Sequence, residues 1–373
     1  MKKAGILMLA LALLLSGCSK AGGSMYSNRR EIERLQSVQV LGLDSAGEGI
    51  RLSLSCALPS EEGAAVLSRE GGSFLQCLRS LENYAADREL YYAHAQYLLL
   101  GEDFAREGAE DALDFAARDT QLRLGIELFA VRGDALELIS GPEGQGYEIS
   151  KTLSGIERDS ESQGLSRVFT CRETIKNLSQ YGAALVCAIS PAETEGSVFP
   201  EGSGITAVPV GYGILRGDSL VGWIEPEISQ AANIIMGKPG SAGPSLSDGK
   251  GGEISFEYSG GGVKIIPAGK NRLRIEAEIT ATLAEPDTAT EHITDSEMLS
   301  ALEKALARDM EEKMAAVLGL YREYDADFLG LGSYLEERDH LWPGGGEFET
   351  VCRAKIDYTR ELADKMDTEG GGT

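Results

Sequence analysis

Histidine is nearly missing from this 373-residue chain. Only His94, His292 and His340 occur, far apart and with no cysteine or carboxylate at ligand spacing. That leaves little from which to build a zinc centre. Also missing are GxSxG, GxxxxGK[S/T], HExxH and GxGxxG. A nucleophile elbow, a phosphate-cradling loop, a metalloprotease helix and a dinucleotide turn therefore have no sequence support. There is no CxxC, and the five cysteines after Cys18 (Cys56, Cys77, Cys171, Cys187 and Cys352) are odd in number. They cannot all pair within the chain, which argues against a disulfide scaffold. Cys56, Cys187 and Cys352 sit in strand-like apolar patterns and read as small buried hydrophobes, not as metal or redox groups. Positive charge is scarce as well: 35 basic residues face 59 acidic ones, for a formal charge of −24. Such a surface does not suit nucleic acid and is repelled by anionic lipid headgroups.

The longest apolar run lies at the very start. Lys2 and Lys3 precede Ala4 to Leu15, an unbroken stretch of signal-peptide length that is too short to span a bilayer. It ends in Leu15-Ser16-Gly17-Cys18, the pattern of a bacterial lipobox. Residues 1–17 are thus expected to be removed, leaving Cys18 as a lipidated N-terminus. The expected mature chain, about 355 residues long, carries 33 basic and 59 acidic residues, a charge of −26. Each buried acyl CH₂ contributes roughly 0.8 kcal/mol, and two chains give firm anchoring where one is marginal. No later segment reaches the ~18 apolar residues of a transmembrane helix.

Residues 18–28 form a small, polar tether. Three regions follow in this reading: 29–145, 146–239 and 253–363. In the first, Val38 to Leu43 reads as a strand. Ile50, Leu52, Leu54, Cys56 and Leu58 alternate with polar or small residues as a half-buried strand, joined to the first by the loop Asp44 to Gly49. Ser73 is placed to cap a helix bearing Phe74, Leu78 and Leu81. Ala95 to Leu100 and Gly125 to Val131 read as strands. One helix is expected over Phe104 to Ala117, with Ala105, Ala109, Ala112, Leu113 and Ala116 on one face.

A loop at Gly141 to Gly146 marks the first boundary. The middle region shows a helix at Arg172 to Gln180 and a fully buried strand at Ala183 to Ile189. Pro191 to Gly204 reads as a linker, followed by a hairpin from Val208 to Ile224 turning at Arg216-Gly217-Asp218. Gly240 to Gly252 reads as a second, flexible linker. In the third region Leu273, Ile275, Ala277, Ile279, Ala281 and Leu283 mark a long one-sided strand. Thr294 and Glu297 suit a capping box. Leu299, Leu302, Leu306, Met310, Met314, Val317 and Tyr321 form a helical stripe, and Cys352, Ala354, Ile356 and Tyr358 a last strand. The tail from Asp364 is acidic and Gly-rich. The class expected is α+β: a multi-domain lipoprotein of mixed α/β domains, each with a sheet flanked by helices.

Four features invite a functional reading, each with a plainer alternative. Gly211-Tyr212-Gly213 reads as a bulge or close-packing site rather than a phosphate cradle. Glu323, Asp325 and Asp327 are a cation-binding candidate, or simply a helix end. Trp223 is a partner anchor or a core residue. His94 is more simply structural.

Several stretches, in order, resemble the C-subunit lipoproteins of spore germinant receptors, the Ger(x)C family. They are the lipobox Leu15 to Cys18, Arg30 to Glu33, and Val38 to Asp44. Next come Tyr92-Ala93-His94 through Gly101-Glu102 with Ala105-Arg106, then Phe115, Arg118 and Asp119. Tyr212 to Trp223 follows, with the helix from Glu225 to Met236. The last are Asp325, Asp327, Phe328 and Gly330-Leu331-Gly332 with Trp342. Ser19 and a longer spacer stand where the family has Trp and an acidic residue. The resemblance implies a three-domain lipoprotein with no enzymatic activity, no cofactor, no metal and no catalytic residues. Its partners would be the A- and B-type polytopic receptor subunits, on the outer face of the spore inner membrane, in a receptor for small nutrients such as amino acids or sugars. Two other readings share the anchor. A solute-binding lipoprotein of a transporter needs two matching βα lobes, and a lipoprotein hydrolase needs a nucleophile and base or a metal cluster.

Overall fold

A computed structural model describes residues 35–58, 64–85, 88–118, 122–141, 149–194, 204–247, 253–269, 271–284, 296–335 and 346–357. The signal segment, Cys18, the tether, the 142–146 loop, Thr294, His292, His340, Trp342, Tyr358 and the tail from Asp364 lie outside the described residues.

Apolar alternation builds two sheets. The first has ten strands: β1 (Leu35–Ala46), β2 (Gly49–Ala57), β3 (Ala64–Gly71), β4 (Glu89–Tyr91), β5 (Tyr97–Gly101), β6 (Glu127–Val131), β7 (Phe169–Thr170), β8 (Ala183–Thr194), β9 (Gly204–Arg216) and β10 (Ser219–Ile224). Their order is β10-β9-β8-β6-β5-β1-β2-β3, with β4 beside β1 and β7 beside β6. β1, β5, β6 and β8 run parallel at the centre. A central parallel sheet is covered on both faces, so its strands are apolar on both. Leu98, Leu100, Leu128 and Ala130 face a core shared with α1 (Phe74–Tyr84), α2 (Glu102–Glu107), α3 (Glu110–Arg118) and α6 (Cys171–Tyr181). Leu99, Phe129 and Val131 face the opposite way, under α4 (Ala135–Ser140) and α5 (Ile149–Asp159). Strands on both sides of residue 145 are hydrogen-bonded neighbours, so the first two of the three expected regions share this one sheet.

The second sheet has the order β11-β12-β13-β14: β11 (Ala242–Ser247), β12 (Glu253–Gly269), β13 (Arg272–Leu283) and β14 (Glu347–Ile356). α8 (Ser296–Tyr324) lies across it. Leu302, Leu306, Met310, Met314, Val317 and Tyr321 are buried against Leu273, Ile275, Ala277, Ile279 and Ala281, and Leu299 is half-buried. Each such leucine contributes about 1.5–3 kcal/mol on leaving water. The same core takes in α7 (Pro226–Ile235) and the inner side of β9, which joins the two sheets into one body. The α+β class expected from sequence is the class observed.

Five expectations change. The expected linker Pro191 to Gly204 is strand at both ends, because β8 runs on to Thr194 and pairs there with the start of β9 at Gly204. β2 is buried on both faces, because α4 covers the side expected to face water. Ser53 and Ser55 are as inaccessible as Leu52 and Leu54, and Ser53 Oγ bonds Ser68 Oγ at 3.0 Å. The helix over 104–117 is two helices, α2 and α3. Gly108 (φ 139°) breaks it, and Ala109 N–H donates to the Asp218 carbonyl at 2.8 Å. The apolar face is nevertheless continuous, since all five expected residues are buried. The segment 240–252 is not simply a linker: Ala242–Ser247 pairs with β12 as a strand. Asp44 belongs to β1, and the hairpin turns at Gly47-Glu48.

Gly211-Tyr212-Gly213 is a close-packing site, as expected. Gly211 has φ +87°, and a Cβ there would collide with the Ile224 carbonyl oxygen. Tyr212 beside it is fully buried. Gly211→Ala should therefore cost about 1–3 kcal/mol in backbone strain and lower the thermal midpoint. A midpoint equal to that of wild type would contradict this geometry.

Candidate functional site

Open α/β sheets bind ligands beyond the carboxyl ends of parallel strands, where successive helices leave on opposite faces. Here that place lies between β5, which leads into α2 on one face, and β6, which leads into α4 on the other. The chain fills it with its own groups. Asp44, at the end of neighbouring β1, is 1% exposed. Its Oδ1 accepts from Ala135 N–H at 2.6 Å and its Oδ2 from Leu136 N–H at 2.9 Å, capping α4 from another strand. Burial raises the Asp44 pKa, and the two backbone hydrogen bonds oppose that shift. Glu102 N–H donates to the Gly133 carbonyl at 2.9 Å, tying the two exit loops together. A Cβ at Gly101 would collide with Asp44 Oδ1, so glycine is what admits the carboxylate. The position in which a helix N-terminus takes up an anion is thus held by an aspartate of the same chain.

An open cleft of about 440 Å³ lies at the other ends of β5 and β6, lined by Ala93–Tyr97, Arg123, Gly125–Glu127 and Glu157. Tyr97 is 2% exposed and its hydroxyl donates to Glu157 Oε2 at 3.0 Å. Burial and Glu157 hold the Tyr97 phenol well above the usual range. Glu127, paired in register with Tyr97, is pushed up to about 8 by burial and by hydrogen bonding and charge from Glu157. Sequence reading missed this group. Its only signals are a glutamate opening the apolar run Leu128 to Val131 and another beside Ile156. His94 is exposed at the cleft, with Nδ1 3.2 Å from Ser37 Oγ and its ring edge-on to Tyr91.

The remaining candidates are separate. Trp223 is half-buried against the core and carries Arg132 4.7 Å from its ring, while Arg132 also donates to Glu225 at 2.9 Å. Asp327 is 4% exposed and closes the turn after α8, accepting from Leu331 N–H at 2.7 Å and Gly332 N–H at 3.0 Å. Asp325 points elsewhere, 3.7 Å from Arg216. Among the described residues no group of three His, Cys, Asp or Glu side chains is placed to hold a metal ion. All five cysteines after Cys18 are free and buried. Burial pushes Cys56, Cys171, Cys187 and Cys352 up to about 12, which keeps them as unreactive thiols.

Comparison with known proteins places these features in a family. Residues 28–191 match the family model described as the spore germination protein N-terminal domain, and residues 210–361 match the spore germination B3/GerAC-like C-terminal model. Spore germination protein KC of Bacillus subtilis (strain 168) is 22% identical over 361 residues, covering 88% of this chain and 85% of that protein. The crystal structure of the GerBC protein aligns with a TM-score of 0.55 at 20% identity, covering 85% of this chain and 96% of that one, a likeness of fold.

Proposed function

The chain belongs to the spore germination GerAC family, and from that premise we propose that it is the C-type subunit of a germinant receptor, acting in assembly and not in catalysis. A lipid on Cys18 holds it to the outer face of the spore inner membrane. Its partners are the A- and B-type polytopic subunits, and together they respond to small nutrients. No cofactor or nucleic acid takes part. The observation that carries this reading is the order of the two family matches, at 28–191 and 210–361, directly behind the lipobox. Among the described residues no helix is long and apolar enough to cross a membrane.

Deletion tests this reading. Spores lacking the chain should lose their response to at least one member of a panel of amino acids and sugars, and the wild-type chain should restore it. An unchanged response to every member would contradict the proposal.

A further inference from the structure

The turn after α5 is a seam. Its backbone meets α7 and the segment that leads from α7 into the second sheet. Asn233 Nδ2 donates to the Gly164 carbonyl at 2.8 Å, Ser241 N–H to the Ser162 carbonyl at 2.6 Å, and Lys238 lies 3.3 Å from Glu161. Arg167 N–H, at the end of the same turn, donates to the Tyr212 hydroxyl at 2.6 Å. The position of this turn depends on the last turn of α5. There Ile156 packs on the sheet, and Glu157 accepts from Tyr97 and lines the same cleft as Glu127.

Glu127 and Glu157 line one cleft and are joined through Tyr97, which pairs in register with Glu127 and donates to Glu157. Two carboxyl groups so placed repel unless one of them holds a proton, because ionised carboxylates only accept. The surroundings add further negative charge. α6 contributes Glu173, which is held by Arg167 at 2.9 Å and accepts from Thr170 N–H and Oγ1. β5 contributes Tyr97, whose proton is already given to Glu157. Arg123 and His94 line the cleft. Glu127 Oε2 is buried with no hydrogen-bond partner among the described residues. An ionised Glu127 would therefore face Glu157 and Glu173 with one oxygen unsatisfied.

We propose that the Glu127–Glu157 pair is a proton-operated latch. With one proton held by the pair, the last turn of α5 stays on the sheet and the 160–166 seam stays closed. When Glu127 gives that proton to water through the cleft, like-charge repulsion frees the turn and the seam loosens.

The direction with pH follows from linkage. Glu127 is held near 8 in the closed state against an ordinary 4.5. The closed state binds a proton that the open state lacks between those two values. Closure is therefore strongest below the ordinary value and weakens as pH rises toward 8, by at most about tenfold per pH unit. The latch does not rest on the receptor reading, and either can fail without the other.

Amide hydrogen exchange on the full-length chain in detergent tests it, at pH 6 and pH 9 and corrected for intrinsic rates. In wild type, protection across 149–166 should fall by about tenfold or more, while Ala183 to Ile189 keeps its protection. Glu127→Gln puts an amide donor where the proton sits, and its protection across 149–166 should change less than about twofold. If Glu127→Gln does not fold, Glu157→Gln serves the same comparison. Equal loss in variant and wild type, no loss in wild type, or equal loosening of Ala183 to Ile189 would each overturn the latch.

Discussion

Cys18→Ala should move the protein from spore membranes to the soluble fraction and abolish its contribution to germination. No described helix can cross a bilayer, and the expected mature charge of −26 opposes contact with anionic headgroups. Acyl chains on Cys18, as proposed above, would contribute roughly 0.8 kcal/mol per buried CH₂ to the association. Removing the thiol removes the site to which they attach. Fractionation of spore lysates, followed by detection of the chain, reads this directly. A Cys18→Ala protein that stays in the membrane fraction with a normal nutrient response would contradict the anchoring reading.

Leu306→Asp should unfold the region built on the second sheet. Leu306 is fully buried at the middle of α8, inside the largest core, which also holds Ile275, Ala277, Met310 and α7. Emptying such a site costs about 2–5 kcal/mol by cavity formation alone. A carboxylate there adds the penalty of an unpaired buried charge. The sum approaches the 5–15 kcal/mol or so by which whole domains are stable. Thermal unfolding and proteolysis of the purified chain should show loss of the cooperative transition. Ala315→Asp, on the exposed side of the same helix, should behave like wild type. A cooperative transition at the wild-type midpoint in Leu306→Asp would mean that the buried face of α8 is wrongly assigned.

α8 and β13 were legible because each buries one side only, so hydrophobic period and structure report the same fact. The stripe from Leu302 to Tyr321 and the alternation from Leu273 to Leu283 needed no knowledge of partners. Reading failed where burial is decided by a distant segment. Ser53 and Ser55 are polar by type yet inaccessible because α4 lies over them. β11 is strand only because β12 offers it a partner, within a segment whose Gly and Ser content signals a linker. The break at Gly108 serves a contact with Asp218 in a hairpin far along the chain. The two sites were hidden for the same reason. Asp44 caps a helix 91 residues away, and Tyr97 meets Glu157 across 60 residues. Neither pair has a spacing that a periodic pattern can display. α4 and α5 flank the Gly-rich 141–146 segment, and each offers only three or four apolar residues to a periodic pattern. The family resemblance, by contrast, was carried by the order of many short stretches, and the two family matches bear it out.

The most direct test of the central claim is the company the chain keeps in the membrane. A tagged full-length chain should be purified from spore membranes in mild detergent and its partners identified by mass spectrometry. Two polytopic germinant-receptor subunits should be recovered with the wild-type chain and lost with Cys18→Ala. Recovery of a permease and ATPase pair, or of no membrane partner at all, would contradict that claim.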